Sequence, residues 1–189
     1  MKFGPLIILS GPSGSGKSTV IERILKKADL PLHLSVSATT RDPRPGERDG
    51  VHYYFWTAEE FDREAQAGAF LEWAEVHGQR YGTLRREVEP FRQNTVGVIL
   101  DIDVQGAWAV RRQMPEAVLV FMRTSKFETY EKRLRQRATE DENRIQQRLA
   151  AARRELDQAY GYDFEVINDD LEVAVKSFLA IVRPLFERN

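Results

Sequence analysis

Apolar and polar positions along the chain alternate between short buried runs and stretches of helical spacing. Leu6-Ile7-Ile8-Leu9 is apolar without a break, as expected of a short strand covered on both faces in a parallel sheet. Beyond a Gly/Ser segment, residues 18 to 28 carry apolar side chains at 20, 21, 24, 25 and 28, which predicts a helix. Residues 32 to 38 alternate strictly. One strand is expected there, with Leu32, Leu34, Val36 and Ala38 on one face and Ser35 and Ser37 on the other.

Residues 39 to 50 hold two prolines, two glycines and three arginines, a loop composition. Val51 to Trp56 is aromatic and strand-like, and Thr57 to Ala67 reads as a helix opened by a capping box of Thr57 and Glu60. Phe70 to Val76 is a further strand, on which Glu72 is expected to share a side with Phe70, Ala74 and Val76; His77-Gly78-Gln79 would be a tight turn. Together these segments predict a small lobe inserted between two halves of a larger sheet. That sheet resumes at residues 96 to 101, an apolar run ending in Asp101, followed by helical spacing to Met114 and a strand from Ala117 to Met122. Ser125 and Glu128 are expected to cap a helix running to about residue 137. A charged interval leads into a long helix ending near Tyr160, then a strand at Phe164 to Ile167 and a helix at Leu171 to Phe186. Strands alternating with long helices indicate an α/β fold with a mostly parallel sheet.

Composition narrows the choice of chemistry. With 189 residues, 42% apolar and 30% charged, the chain suits one domain with small inserted parts. A net charge of -1 argues against a general nucleic-acid or membrane binder, whose surface carries uncompensated basic charge. Anion recognition must be local, and 21 of the 28 basic residues are Arg, the side chain with a planar fork for phosphate oxygens. No cysteine occurs, which suits a reducing cytoplasm and rules out disulfides and thiolate zinc sites. The four apolar residues near the start are too few for a signal sequence or a membrane span. His33, His52 and His77 lack the spacing of a metal-binding pair.

Gly11-Pro12-Ser13-Gly14-Ser15-Gly16-Lys17-Ser18 fits the phosphate-loop pattern GxxxxGK(S/T) at every fixed position, between a buried strand and a helix. Backbone N–H groups there can curl around a phosphate at the positive end of a helix. Gly11, Pro12, Ser13, Gly14, Ser15, Gly16, Lys17, Ser18 and Thr19 are therefore the candidate ATP-binding residues. Lys17 would reach the β and γ phosphates, and Ser18 would ligate Mg²⁺. Asp101 ends a buried strand where such proteins keep an acid near the metal, directly or through water. A phosphate loop alone leaves ATPase, GTPase and kinase open.

The acceptor must be read from the inserted lobe. The run Ser35-Val36-Ser37-Ala38-Thr39-Thr40-Arg41-Asp42-Pro43-Arg44-Pro45-Gly46-Glu47, with Gly50 and Tyr53 after it, resembles the GMP-phosphate segment of guanylate kinases. Phe70-Leu71-Glu72-Trp73-Ala74-Glu75, Tyr81-Gly82-Thr83 and Leu100-Asp101-Ile102-Asp103-Val104-Gln105-Gly106 are similar to further segments of that family, in family order. The resemblance implies a P-loop NTPase-type fold with a GMP-binding lobe and a helical lid. Its boundaries would be a core at about 1–37, 95–135 and 150–189, a lobe at about 38–94 and a lid at about 136–149.

It further implies Mg-dependent transfer of the ATP γ-phosphate to GMP, with dGMP as a further acceptor. Arg41, Arg44, Tyr53 and Tyr81 would hold the GMP phosphate. Ser37, Glu72 and Thr83 would read the base, with Asp101 and Asp103 completing the GMP set. A carboxylate at Glu72 accepts from guanine N1–H and the 2-amino group together, whereas adenine would leave it unpaired. Lys17, Arg41, Arg137 and Arg148 would be the catalytic residues, with Arg133, Arg137 and Arg148 beside Lys17 as the arginines that offset charge on the transferring group; Arg133 and Arg137 would also contact ATP, and Asn168 would lie near adenine. A monomer or small homo-oligomer is expected, with no nucleic-acid partner. Gln136-Arg137-Ala138-Thr139 stands where the family usually reads Gly-Arg-Gly-Thr, Ala38 replaces a polar residue, and Arg144 is an extra base without an assigned role. A P-loop kinase for another phosphorylated acceptor would lack the base-reading set. A scaffold module of the same fold would typically carry a degraded phosphate loop.

Overall fold

The computed structural model describes residues 3–76, 78–136 and 142–187, and leaves the Arg144 side chain outside the description. Strand β1 (Leu6–Ser10) lies at the centre of a parallel sheet, entirely buried. The phosphate loop follows it and runs into helix α1 (Lys17–Lys27). Ile7 and Leu9 pack on one side with Val20, Ile21 and Ile24 of α1, and Leu6 and Ile8 face a second apolar layer. Coverage on both faces is why the sequence shows a continuous run here, and each such side chain contributes about 1.5–3 kcal/mol on burial.

Strand β2 (Leu32–Leu34) is shorter than the alternation predicts. The chain leaves the main sheet at residues 35 to 37 and joins a second sheet as β3 (Ala38–Thr39). Backbone hydrogen bonds to both sheets bracket the crossing. Ser35 N donates to Ile99 O at 3.0 Å in the first sheet, and Ser37 O accepts from Tyr54 N at 2.9 Å in the second. A period of two reports extended backbone without reporting which sheet it pairs with. Strand β4 (Tyr54–Phe55) also falls short of the expected Val51 to Trp56, because Val51 N and His52 N turn back to Arg48 O at 3.3 and 3.1 Å.

Helix α2 (Ala58–Gln66) carries the expected capping box, with Glu60 N donating to Thr57 Oγ1 at 3.1 Å and Thr57 N to Glu60 Oε2 at 2.9 Å. Strands β5 (Phe70–Val76) and β6 (Gln79–Leu84) form a hairpin whose turn residue 77 lies outside the described residues. A bulge interrupts it. Phe70 pairs with Leu84 and Glu72 with Thr83, so Leu71 is the extra residue. This overturns the expectation that Phe70 and Glu72 share a side. Phe70 stacks on Phe61 at 4.5 Å in a small core with Ala38 and Leu84, while Leu71 joins the main core.

A 3-10 turn at Arg85–Glu87 and helix α3 (Glu89–Gln93) return the chain to the main sheet. Glu87 accepts from Tyr54 Oη at 2.8 Å and Val36 N at 3.4 Å, and its carboxylate lies 3.2 Å from His33 Nε2. It therefore touches the lobe, the outgoing crossing and the core at once. Strand β7 (Gly97–Asp101), helix α4 (Val104–Gln113) and strand β8 (Val118–Arg123) follow, with Asp103 Oδ1 capping α4 by accepting from Gly106 N at 2.8 Å.

Helix α5 (Glu128–Gln136) begins at Glu128 itself, so Ser125 stands too far upstream to pair with it in a capping box. Ser125 N instead donates to Asp169 Oδ1 at 2.9 Å. Helix α6 (Glu142–Leu156) stops short of the expected Tyr160, and a 3-10 turn at Ala159–Gly161 precedes strand β9 (Phe164–Ile167) and helix α7 (Leu171–Glu187). The main sheet runs β2-β7-β1-β8-β9, all parallel, and the lobe's sheet runs β4-β3-β6-β5. Loops at the carboxyl ends of β1 and β7 open toward the lobe, where α/β sheets of this kind build ligand sites.

Candidate functional site

The phosphate loop takes its shape from backbone conformations that disfavour side chains. Gly11 and Gly16 have φ of 140 and 93 degrees, and a Cβ on Gly11 would fall 2.1 Å from Met122 O. Glycine is required there. Lys17 Nζ donates to Gly11 O at 2.6 Å and lies 3.8 Å from Asp101 Oδ1. Ser18 Oγ reaches Asp101 Oδ2 at 3.4 Å, while Thr19 is exposed on the first turn of α1. Burial pushes the Asp101 carboxyl up, against the pull of Lys17 and Ser18.

Arg133 and Asn168 meet the loop from behind. Arg133 Nη1 donates to Gly14 O and Ser15 O at 3.2 and 3.0 Å, and its Nη2 to Asn168 O at 2.9 Å. Asn168 Nδ2 donates to Ser15 O at 2.7 Å. These side chains brace the loop's carbonyls at Gly14 and Ser15. Arg148 of α6 donates to Ser13 Oγ. Arg137 lies outside the described residues.

Opposite the loop, a cleft of about 750 Å³ brings together Lys17, Asp101, Asp103 and Arg148 from the core side with Ser37, Arg41, Arg44, Tyr53, Glu72 and Tyr81 from the lobe. Arg41 lies over the Tyr53 ring at 5.5 Å and donates to Glu47 at 2.9 Å. Glu47 also accepts from Arg44 N at 2.7 Å. Burial raises the Glu47 carboxyl, but the bonds from Arg44 and Arg41 outweigh it and hold the group below its usual range. Burial, helped by Asp101 and Tyr81, pushes the Tyr53 phenol up to about 12. It stays a neutral donor.

Glu72 is 8% exposed and accepts from Thr83 Oγ1 at 2.6 Å and Thr83 N at 3.1 Å. Burial pushes its carboxyl up to about 7; the Thr83 hydroxyl and amide oppose the shift, and the Asp103 carboxylate adds to it. Thr83 is fully buried and faces Glu72 directly across the hairpin, so it orients the carboxylate from the neighbouring strand.

Two acids that the sequence reading passed over belong to the site. Glu47 sits on the Arg41 fork, and its position among three loop arginines was the available signal. Glu155 lines the cleft from α6 with Gln147 and Ala151. It stands seven residues past Arg148, two helical turns along the same face. Burial raises its carboxyl, with Lys17 opposing the shift.

Residues 4–184 match the family model described as guanylate kinase. A guanylate kinase of Rubrobacter xylanophilus is 48% identical over 183 residues, which cover 97% of this chain and 95% of that protein. One from Fusobacterium nucleatum is 46% identical over 182 residues, covering 96% and 97%. The crystal structure of guanylate kinase from Anaplasma phagocytophilum superposes with a TM-score of 0.80 at 33% identity, over 97% of this chain and 87% of that one.

Proposed function

The chain belongs to the guanylate kinase family, and from that premise we propose how its residues transfer the γ-phosphate of ATP to GMP, and to dGMP, giving ADP and GDP. The observation that carries the assignment of the acceptor is the buried carboxylate of Glu72, aimed into the same cleft as the phosphate loop. Guanine offers N1–H and the 2-amino group side by side, and an ionised carboxylate accepts from both. Adenine would bury that acid unpaired, a mismatch worth about 10⁴ or more in discrimination. Ser37 and Asp103 would complete the base site from the cleft walls, and Thr83 would hold Glu72 in register.

Arg41 and Arg44 would take the GMP phosphate, with Tyr53 and Tyr81 adding neutral hydrogen bonds. For this the Arg41 fork has to be shared with, or released by, Glu47. Gly11 to Ser18 would cradle the ATP phosphates while Lys17 leaves Gly11 O to follow the β and γ oxygens. Arg133 and Asn168 would serve ATP through the loop they brace, and Thr19 by extending it into α1. The attacking oxygen is already anionic, so no strong general base is needed. Arg148 and Arg137 would offset charge on the group in transit.

Ser18 and Asp101 offer a hydroxyl and a carboxylate within 3.4 Å of one another, the hard oxygen donors that suit Mg²⁺. When bound there, Mg²⁺ would supply charge neutralisation at the ATP phosphates, and Asp101 would act on it directly or through water. We divide the chain into a core (about 1–37, 95–135 and 150–189), a lobe (about 38–94) and a lid (about 136–149). Helix α6 crosses the last boundary unbroken, so movement of the lid would carry Arg148. Among the described residues no helix is long and apolar enough to cross a membrane. We place the enzyme in the cytoplasm as a monomer or small homo-oligomer, without a nucleic-acid partner.

A coupled ADP-release assay with Mg-ATP and GMP, AMP, CMP or UMP in parallel tests this reading. Turnover with GMP alone is expected. Equal turnover with AMP would remove the role given to Glu72.

A further inference from the structure

Glu72 is held by Thr83 on one side and by helix α4 on the other. A Cβ on Gly106 would stand 2.8 Å from Glu72 Oε2, 3.2 Å from Glu72 Cδ and 3.3 Å from Asp103 Oδ1. The first distance is one that real Cβ atoms do not show. Gly106 is the third residue of α4 and is not among the positive-φ glycines, so its backbone does not call for glycine. Helices disfavour Gly against Ala by roughly 0.5–1 kcal/mol. The reason for a bare Cα lies outside the helix, in the carboxylate that rests on it.

Neither partner can yield without consequence. The bulge at Leu71 and two bonds from Thr83 fix Glu72. Helix α4 is fixed by the Asp103 cap and by Ala107 and Val110, both fully buried. A methyl group at residue 106 must therefore displace the carboxylate by several tenths of an ångström or rotate it off the direction that Thr83 sets.

We propose that Gly106 is a positioning residue for guanine recognition: its missing side chain is the seat against which Glu72 is aimed. This inference rests on the reading that Glu72 meets the base.

The test compares wild type, Gly106→Ala and Glu72→Ala, with KM and kcat measured for GMP, IMP and ATP. IMP keeps N1–H and lacks the 2-amino group, so the GMP-to-IMP preference reports the two-pronged contact. A hydrogen bond to a charged acceptor is worth about tenfold or more in affinity. Gly106→Ala is expected to raise KM for GMP and to lower the GMP-to-IMP preference by about fivefold or more, with KM for ATP and the melting temperature held. Should Glu72→Ala lower the preference while Gly106→Ala keeps it within about twofold, the seat is refuted and the base-reading role stands. Should Glu72→Ala itself keep the wild-type preference, the base-reading role fails and the seat with it. An equal loss for GMP, IMP and ATP with a lower melting temperature would mean a disrupted α4, and would also refute the seat.

Discussion

In the proposed reading guanine requires Glu72 ionised, and burial pushes its carboxyl up to about 7, so GMP affinity should fall steeply as acidity rises through neutrality. The ionised fraction of such a group drops from about nine-tenths at about pH 8 to about one-tenth at about pH 6, and affinity should follow it down by about tenfold. The nucleotide phosphate, with a second pKa of about 6, contributes a further loss of about twofold over the same interval. Glu72→Gln separates the two effects, since the amide cannot titrate and only the phosphate slope remains. Isothermal titration of GMP into both proteins across this range checks the difference. Near about pH 6, repeating it in buffers of different ionisation enthalpy should show wild type releasing close to one more proton per GMP than the variant. Parallel pH slopes in the two proteins would refute the argument, because they would mean that Glu72 is already ionised, or not engaged, when GMP arrives.

The same group should tax the fold in the opposite direction. Its carboxyl stands near 7 when folded against an ordinary 4.5, so the unfolded chain ionises first and stability falls as pH rises between those values, by about 3 kcal/mol when complete. Denaturant unfolding of the ligand-free proteins should accordingly show Glu72→Gln gaining on wild type from about pH 5 to about pH 8; a gap independent of pH counts against it. Lys17→Ala should lower kcat by about a hundredfold or more while leaving circular dichroism and melting unchanged, and wild-type turnover would overturn the role given to that lysine. Arg133→Ala strips charged donors from Gly14 O, Ser15 O and Asn168 O. We expect a loss of about 1–3 kcal/mol in stability and weaker ATP binding with GMP binding unchanged, and equal weakening of both nucleotides by equilibrium titration would exclude a role confined to the loop.

Much of the fold was legible because its signals are local. The unbroken run at Leu6 to Leu9, the capping box at Thr57 and Glu60, and the glycines of the phosphate loop each depend on neighbours within a few residues. What escaped depends on distant partners. Residues 32 to 38 look like one strand because alternation does not register a change of sheet, and that change is decided by Ile99 and Tyr54. The bulge at Leu71 was invisible because it arises from the demands of two cores, one around Phe61 and one beside α4. Within the site, Arg41, Glu72 and Tyr81 could be named from motifs, whereas Glu155 needed the packing of α6 to bring it over the cleft. Thr83 could be named but not placed, since its position across the hairpin from Glu72 follows from a register that the bulge resets.

The lobe is attached to the core by two connections, the crossing at residues 35 to 37 and the 3-10 turn at Arg85–Glu87, and a single carboxylate on the second fastens them together. Because Glu87 reaches Val36, Tyr54 and His33 simultaneously, a swing of the lobe that preserved its aromatic interior would pivot where that side chain sits. Distances near the pivot would barely change, while the far tip of the β5–β6 hairpin would sweep the widest arc. On such a lever Arg41, which follows the Thr40–Arg80 pairing near the hairpin's far end, would travel further than Glu72, which pairs with Thr83 near its root, so the two residues proposed for phosphate and base would not move in step.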